Sequence, residues 1–435
     1  MSPTMRAGRS ARKPYGDVLA MDAVFEAQFR AIQRRMAARG VTAEVAWTPD
    51  GQVDYVYEAD RLLVIDEGRN VGRVRELLPG AEVVPEERQR PEGEERQPGN
   101  TTMLVSIENL DDGRRTVPEA LDLLEERDGS ARAADEPPLA SPNHVLHITR
   151  LCPAVEPEVP GGMPAQPWPP QRAPAEKARR ILIGIVDTGI LEDLPHPWLA
   201  GVRGDVERIG PILPSGLAHI EQFQGHGTFA AGVARCTAPD AEVYVADHFA
   251  ESGAERENVI INKIIRLIRD LRPQVVNLSA GTYTRNRWDS LGFSLFPDLF
   301  PDVLLVAAAG NDGTCRPFYP AAFPWALAVG ALGPDQVHRA WFSNHGPWVD
   351  VYTLGEGLVN AYATGTYTYR EPPRRPARQN FAGMARWDGT SFSAPLVAGI
   401  AAAHLATHGG GPEDARRAVL DATRHERGIG AVLRL

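Results

Sequence analysis

The sequence predicts an α/β architecture: a mostly parallel sheet with helices on both faces, preceded by a smaller α+β domain. Three observations predict it. Continuously apolar runs of strand length recur between residues 181 and 329, as in strands buried on both faces. Helical patterns lie between some of them, the alternation of a parallel sheet. Ahead of them, residues 61–150 follow a different order of elements, and prolines recurring from Pro153 to Pro174 separate the two compositions.

The bulk properties allow this arrangement. A chain of 435 residues has room for two domains, and 43% hydrophobic with 23% charged residues suits a globular protein. The net charge of −10 gives no footprint for nucleic acid or an anionic membrane surface, so neither is expected as a partner. Cys152, Cys236 and Cys315 are odd in number and widely spaced, which excludes a disulfide framework and a four-cysteine zinc site. No cofactor or metal is expected. No 18-residue apolar run is seen, and no apolar segment follows the basic residues up to Arg9, so neither a membrane span nor a secretory signal is expected. The cytoplasm is the simplest location.

Taken in order, residues 1–17 read as a disordered basic tail. Phe25, Phe29, Ile32 and Met36 fall at helical spacing and predict an amphipathic helix over 18–38, ending at Gly40. Strands are expected at 42–47 and 53–58, joined by the hairpin signal Thr48-Pro49-Asp50-Gly51-Gln52. A strand at 62–65, a helix at 71–78, strands at 81–84 and 102–107, a helix at 117–126 and a strand at 144–149 follow. That β-α-β-β-α-β order is the split βαβ of a ferredoxin-like domain, closing an N-terminal unit over 18–150. Residues 85–100 are rich in Glu, Arg, Gln and Pro and read as a solvated loop; 151–178 read as an extended Pro-rich linker. In the unit over 179–435, strands are expected at 181–186, 243–246, 275–278, 303–306 and 326–329. A helix is expected over 259–268, apolar at 260, 261, 264, 265 and 268. Functional groups in such sheets gather at the C-terminal ends of strands.

Several motifs stand at those ends. The first strand ends in Asp187-Thr188-Gly189. Its carboxylate suits a helix cap or an ion pair; the tripeptide also occurs in aspartic proteases, but those need a second such loop or a dimer, and no second copy is present. Gly225-His226-Gly227-Thr228 opens a helix of small residues, its glycines allowing close backbone approach. Ala308-Ala309-Gly310-Asn311 follows an apolar strand, ordinary turn chemistry by itself. In Gly389-Thr390-Ser391-Phe392-Ser393-Ala394-Pro395, Gly389 permits a tight turn that sets Ser391 at a helix N-terminus, where developing negative charge is stabilised. Thr390 or Ser391 as a simple helix cap is the alternative.

Together with Asn277-Leu278-Ser279-Ala280-Gly281, these motifs resemble the subtilisin-like serine proteases (subtilases), in that family's order of Asp, His and Ser. The resemblance spans residues 181–405. It implies a serine endopeptidase in which Asp187, His226 and Ser391 form a triad, with Asn311 and the Ser391 backbone N–H as the oxyanion hole. It implies a polypeptide substrate that adds as a strand along Ser279, Ala280 and Gly281. Ala309, Gly310 and Asp312 would then lie near the pocket for the residue before the scissile bond, with Asp312 hinting at tolerance of basic residues. The N-terminal unit is similar to the propeptides of many subtilases. It is expected to pack on the catalytic domain, either as an inhibitor removed by self-cleavage between about residues 150 and 180 or as a permanent regulatory domain. Structural calcium is common in the family, but no Asp-rich loop matches such a site. Extra material over 356–388, with hairpin-like flanks, reads as a solvated loop or as a flap over the cleft. The competing reading is a catalytically silent subtilase fold that binds extended peptides.

Overall fold

The computed structural model describes residues 29–48, 51, 53–66, 68–90, 93–129, 137–148, 156–161, 166–175, 178–192, 194–249, 253–285, 290–370 and 374–435. The tail expected over 1–17, the first part of the helix expected over 18–38, and residues 149–155 lie outside the described residues.

The N-terminal unit contains β1 (Ala43–Trp47), β2 (Val53–Ile65), α1 (Asn70–Leu77), β3 (Glu82–Val83), β4 (Thr102–Ser106), α2 (Val117–Asp128) and β5 (Ser141–His147). Helix α2 is fixed at both ends by its sequence. The Thr116 hydroxyl accepts from the Glu119 N–H, the Glu119 carboxylate accepts from the Thr116 N–H, and Gly129 closes the helix at φ 57°. Its residues Val117, Ala120, Leu121 and Leu124 are buried against the sheet. The expected strands at 53–58 and 62–65 are one long strand. Asp60, at φ 57°, bends it, so that one half pairs with β1 and the other with β4. The sheet order is β5-β2-β4-β3, with β1 also beside β2.

The second unit is built on a nine-stranded sheet. Its centre is β6 (Leu182–Asp187), β7 (Glu242–Asp247), β9 (Val275–Leu278), β10 (Leu304–Ala308), β11 (Leu327–Leu332) and β12 (Val351–Leu354), all paired in parallel in the order β12-β11-β10-β9-β6-β7. Helix α3 (His226–Thr237) and helix α5 (Thr390–His408) pack together on one face, and α4 (Glu257–Leu271) covers the other. Small residues bring α3 and α5 close: a Cβ on Gly399 would strike Thr237. Helix α5 is long and apolar enough to cross a membrane, contrary to the expectation that no such run exists. Most of it is buried here as the core helix. The flanks of the extra material form a long antiparallel hairpin, β13 (Leu358–Thr368) and β14 (Arg378–Trp387), packed on the core. The charged run between them lies partly outside the described residues and is exposed over 375–378.

The two units share a sheet. Strand β8 (Ala254–Arg256), which precedes α4, pairs antiparallel with β5. Most described residues of the 85–100 segment are exposed, as its composition suggests, but some of them are tied to α4. The Gln89 carbonyl accepts from Asn258 Nδ2 at 2.6 Å, and Asn262 Oδ1 accepts from the Gln97 N–H and from Asn100 Nδ2. Asn258 and Asn262 in the first turns of α4 thus satisfy these polar groups where they are taken from water. The Pro-rich segment is stitched to the hairpin. Glu158 exchanges two backbone bonds with Arg386, and Trp168 two with Val359. Glu156 accepts from the Tyr367 hydroxyl at 3.0 Å and from the Arg370 N–H at 2.7 Å.

Candidate active site

Asp187 ends the central strand β6, and His226 is the first residue of α3. His226 Nδ1 lies 2.7 and 2.9 Å from the two Asp187 oxygens, and both side chains are fully buried. Since a carboxylate only accepts, Nδ1 carries the proton and Nε2 is the basic nitrogen. Local sequence makes this meeting possible. Gly225 takes φ 81° at the helix start, and a Cβ on Gly227 would collide with the Gly189 carbonyl. The Thr188 hydroxyl accepts from the Gly227 N–H at 3.2 Å, and the Thr228 hydroxyl from the Leu191 N–H at 2.9 Å, lacing the two turns together.

Ser391 follows Gly389, at φ 155°, as the second residue of α5. Its hydroxyl donates to the Ser279 carbonyl at 3.3 Å, and the Ser279 hydroxyl donates to the Ser391 carbonyl at 2.8 Å. Asn277 Nδ2 in turn donates to the Ser279 hydroxyl. Asn311 Oδ1 accepts from the N–H and hydroxyl of Thr390 at 2.9 and 2.8 Å. With Oδ1 so engaged, its Nδ2 is turned towards Gly389, 3.6 Å from where a Cβ would stand. His226 Nε2 is buried with no hydrogen-bond partner. Thus Asp187 and His226 are joined, Ser391 and Asn311 share one network, and no direct bond runs from Ser391 to His226 in this state.

Sequence reasoning assigned no role at this core to Trp387, Phe392, Glu207 or His248. Trp387 stands edge-on to the His226 ring at 5.3 Å, and Phe392 lies 4.9 Å from it, so the imidazole is walled from water. Glu207 accepts from the Gly225 N–H at 2.9 Å, directly before His226. Burial pushes its carboxyl well above the usual range, against the bonds from Gly225 and Thr188 and helped by the charges of Asp187 and Asp247. His248 is buried without a partner for either ring nitrogen, and burial, with Lys263 nearby, pushes it down to about 3. Only the tryptophan left a sequence signal, its place two residues ahead of the Gly389 turn.

The predicted substrate edge is occupied by the chain itself. His147 and Gly281 exchange backbone bonds of 3.0 and 3.1 Å, and the Ile148 N–H donates to the Gly253 carbonyl at 2.9 Å. The Leu146 and Ile148 side chains are buried in one cluster with Phe249, Ile260 and Ala280. Asp312 accepts from the Tyr283 hydroxyl at 2.5 Å. Ala309 is fully buried, and its carbonyl accepts from Asn344 Nδ2 at 2.8 Å. Among the described residues no three acidic, His or Cys side chains converge as a metal site.

Comparison with known proteins points one way. The family model described as "Subtilase family" matches residues 178–434. A curated relative, "Subtilisin-like protease PopC" of Myxococcus xanthus (strain DK1622), is 32% identical over 261 residues, 51% of this chain and 50% of that one. The chain therefore spans about half the length of the curated relative it matches. Fervidolysin from Fervidobacterium pennivorans, described as "a keratinolytic enzyme related to subtilisin", shares the fold with TM-score 0.55 at 19% identity, over 87% of this chain and 60% of its own. The protease domain of PatA aligns at 25% identity over 59% of this chain and 91% of its own, with TM-score 0.45.

Proposed function

The chain belongs to the subtilase family, and on that premise we propose that it is a serine endopeptidase whose cleft is closed by its own N-terminal unit. The observation that carries the proposal is the backbone pairing of β5 with Gly281 beside Ser391, which is how an extended polypeptide substrate would bind.

The chemistry follows from the residues. A serine hydroxyl is a weak nucleophile until a base takes its proton. Ser391 Oγ leaves its long bond to the Ser279 carbonyl and passes its proton to His226 Nε2, the buried nitrogen without a partner. Asp187 keeps Nδ1 protonated and stabilises the imidazolium that forms. Oγ attacks the substrate carbonyl, and negative charge develops on its oxygen. Asn311 Nδ2 and the Ser391 N–H, at the positive end of α5, receive that charge. The imidazolium then protonates the leaving amine. An acyl-enzyme remains, which water hydrolyses by the same steps with His226 again as base. Trp387 and Phe392 keep the charge transfer in a dry site.

The register supports one place for self-cleavage. In an antiparallel substrate strand with one residue opposite Gly281, as His147 is, the residue two further on stands opposite Ser279, whose carbonyl holds Ser391 Oγ. We therefore place self-cleavage after Thr149, at the upstream edge of the expected window; that bond lies outside the described residues.

Intact mass spectrometry of the full chain and Ser391→Ala, with and without a fluorophosphonate probe, tests this. The expected result is probe mass on the wild type alone, and loss of the first 149 residues in the wild type alone. A wild type that neither labels nor shortens, even after the N-terminal unit is removed with a second protease, is a silent peptide-binding module.

A further inference from the structure

We infer that Phe318, braced by Tyr283, fills the pocket that would receive the side chain before the scissile bond, so that the enzyme cuts only after small residues such as Gly, Ala, Ser and Thr. The inference rests on the peptidase reading of the same site and names its substrate class.

The chain's own β5 shows which way that side chain points. In a strand, residues two apart face the same side. The His147 ring faces Phe318, with ring centres 6.1 Å apart. In a substrate strand bound in the same register, the side chain two residues beyond the one that faces Phe318 enters on the Phe318 side, between the segments 279–281 and 309–310. That space is taken. A Cβ on Gly281 would collide with the Phe318 ring, and one on Gly310 would stand 3.1 Å from it. A phenyl ring thus touches both walls of the slot.

The ring cannot easily swing away. Tyr319, next in the chain, exchanges backbone bonds of 2.9 and 2.8 Å with Thr282. Tyr283 packs edge-on against Phe318 at 5.2 Å. Tyr283 is itself held by its bond to Asp312, by Asn344 Nδ2 at 3.0 Å and by the Arg316 guanidinium 4.7 Å over its ring. Asn344 also accepts from the N–H groups of Asp312 and Thr314. Asp312 Oδ2 accepts from the tyrosine hydroxyl, so Asp312 holds the ring that braces Phe318, and a lysine side chain is excluded by the same bulk that excludes phenylalanine. The chain's own sequence fits the rule, since the residue after Ile148 is a threonine.

The test compares cleavage of peptides containing Leu-His-Ile-Xaa, with Xaa as Ala, Thr, Phe or Lys, by full-length protein that labels with fluorophosphonate. Wild type should cut after Ala and Thr with kcat/KM about 10²-fold above Phe and Lys, the scale of steric discrimination in a pocket. Phe318→Gly should raise the ratio of cleavage after Phe to cleavage after Ala at least about tenfold. Phe318→Val, which retains apolar packing, should show an intermediate gain and guards against a glycine variant that fails to fold. Equal cleavage after Ala and Phe by wild type, or no gain in either variant, overturns the inference. Labelled protein that cuts none of the peptides overturns the peptidase reading instead, and the specificity with it.

Discussion

The turns that carry Asp187, His226, Ser391 and Asn311 were legible because each short motif holds a glycine that imposes the local backbone. The groups that surround them were not. Phe318 lies far in sequence from the glycines it touches, and Glu207 sits 18 residues ahead of the N–H it binds. No local pattern reports such contacts; only the assembled turns create them. Asn311→Leu keeps the volume and removes the donor. In subtilisin itself, a measured case that this chain's geometry does not derive, loss of the equivalent donor costs about 10²–10³ in kcat. The same order is expected here, with KM little changed; a fall in KM-based binding alone would argue that Asn311 serves only to hold Thr390. Glu207 predicts a pH effect. Its carboxyl in the folded chain titrates well above the ordinary 4.5, so the folded state holds a proton that the unfolded state has lost in that window. Stability should therefore fall as pH climbs above 4.5. Glu207→Gln keeps an acceptor for the Gly225 N–H and removes the slope, so it should gain on wild type with rising pH. Urea midpoints measured across that range check it, and identical slopes would refute it.

At the level of elements, the parallel strands and α4 were readable because burial on both faces leaves uninterrupted apolar runs. In the mostly exposed 85–100 segment, composition alone could not show that Gln89, Gln97 and Asn100 find their partners in another helix's asparagines. The junction this segment belongs to is polar at its centre. Asn143 Nδ2 donates to Glu58 at 2.6 Å and to Asn258 at 2.9 Å, while Arg256 pairs with Glu58 and Arg39 with Glu255. Burial works to raise the Glu255 carboxyl, yet Arg256 and Arg39 outweigh it and hold it below the usual range. His144 and Glu257, both fully buried, meet at 3.0 Å. Asn143→Ala leaves Glu58 and Asn258 each short of a partner, a loss of about 1–3 kcal/mol. Chemical denaturation should register it, and faster appearance of fluorophosphonate labelling would show that the loss falls on docking of β5.

For the whole molecule, the sequence suggested a linker between two bodies, and the described parts of that segment are bound along the hairpin. Glu156→Ala would strand the Tyr367 hydroxyl and the Arg370 N–H, with an expected cost of about 1–3 kcal/mol, read as a lower denaturation midpoint in the full chain. The pairing of His147 with Gly281 carries one more consequence. Because the His147 N–H is donated to Gly281, a segment with proline three places before the cut offers no hydrogen there and forfeits that bond. Each proline between Pro153 and Pro174 therefore vetoes one register in which the enzyme could grip its own chain. On the proposal of self-cleavage, the composition that marks the boundary would also shield it: a new end exposed by the upstream cut would be a poor substrate for the same cleft.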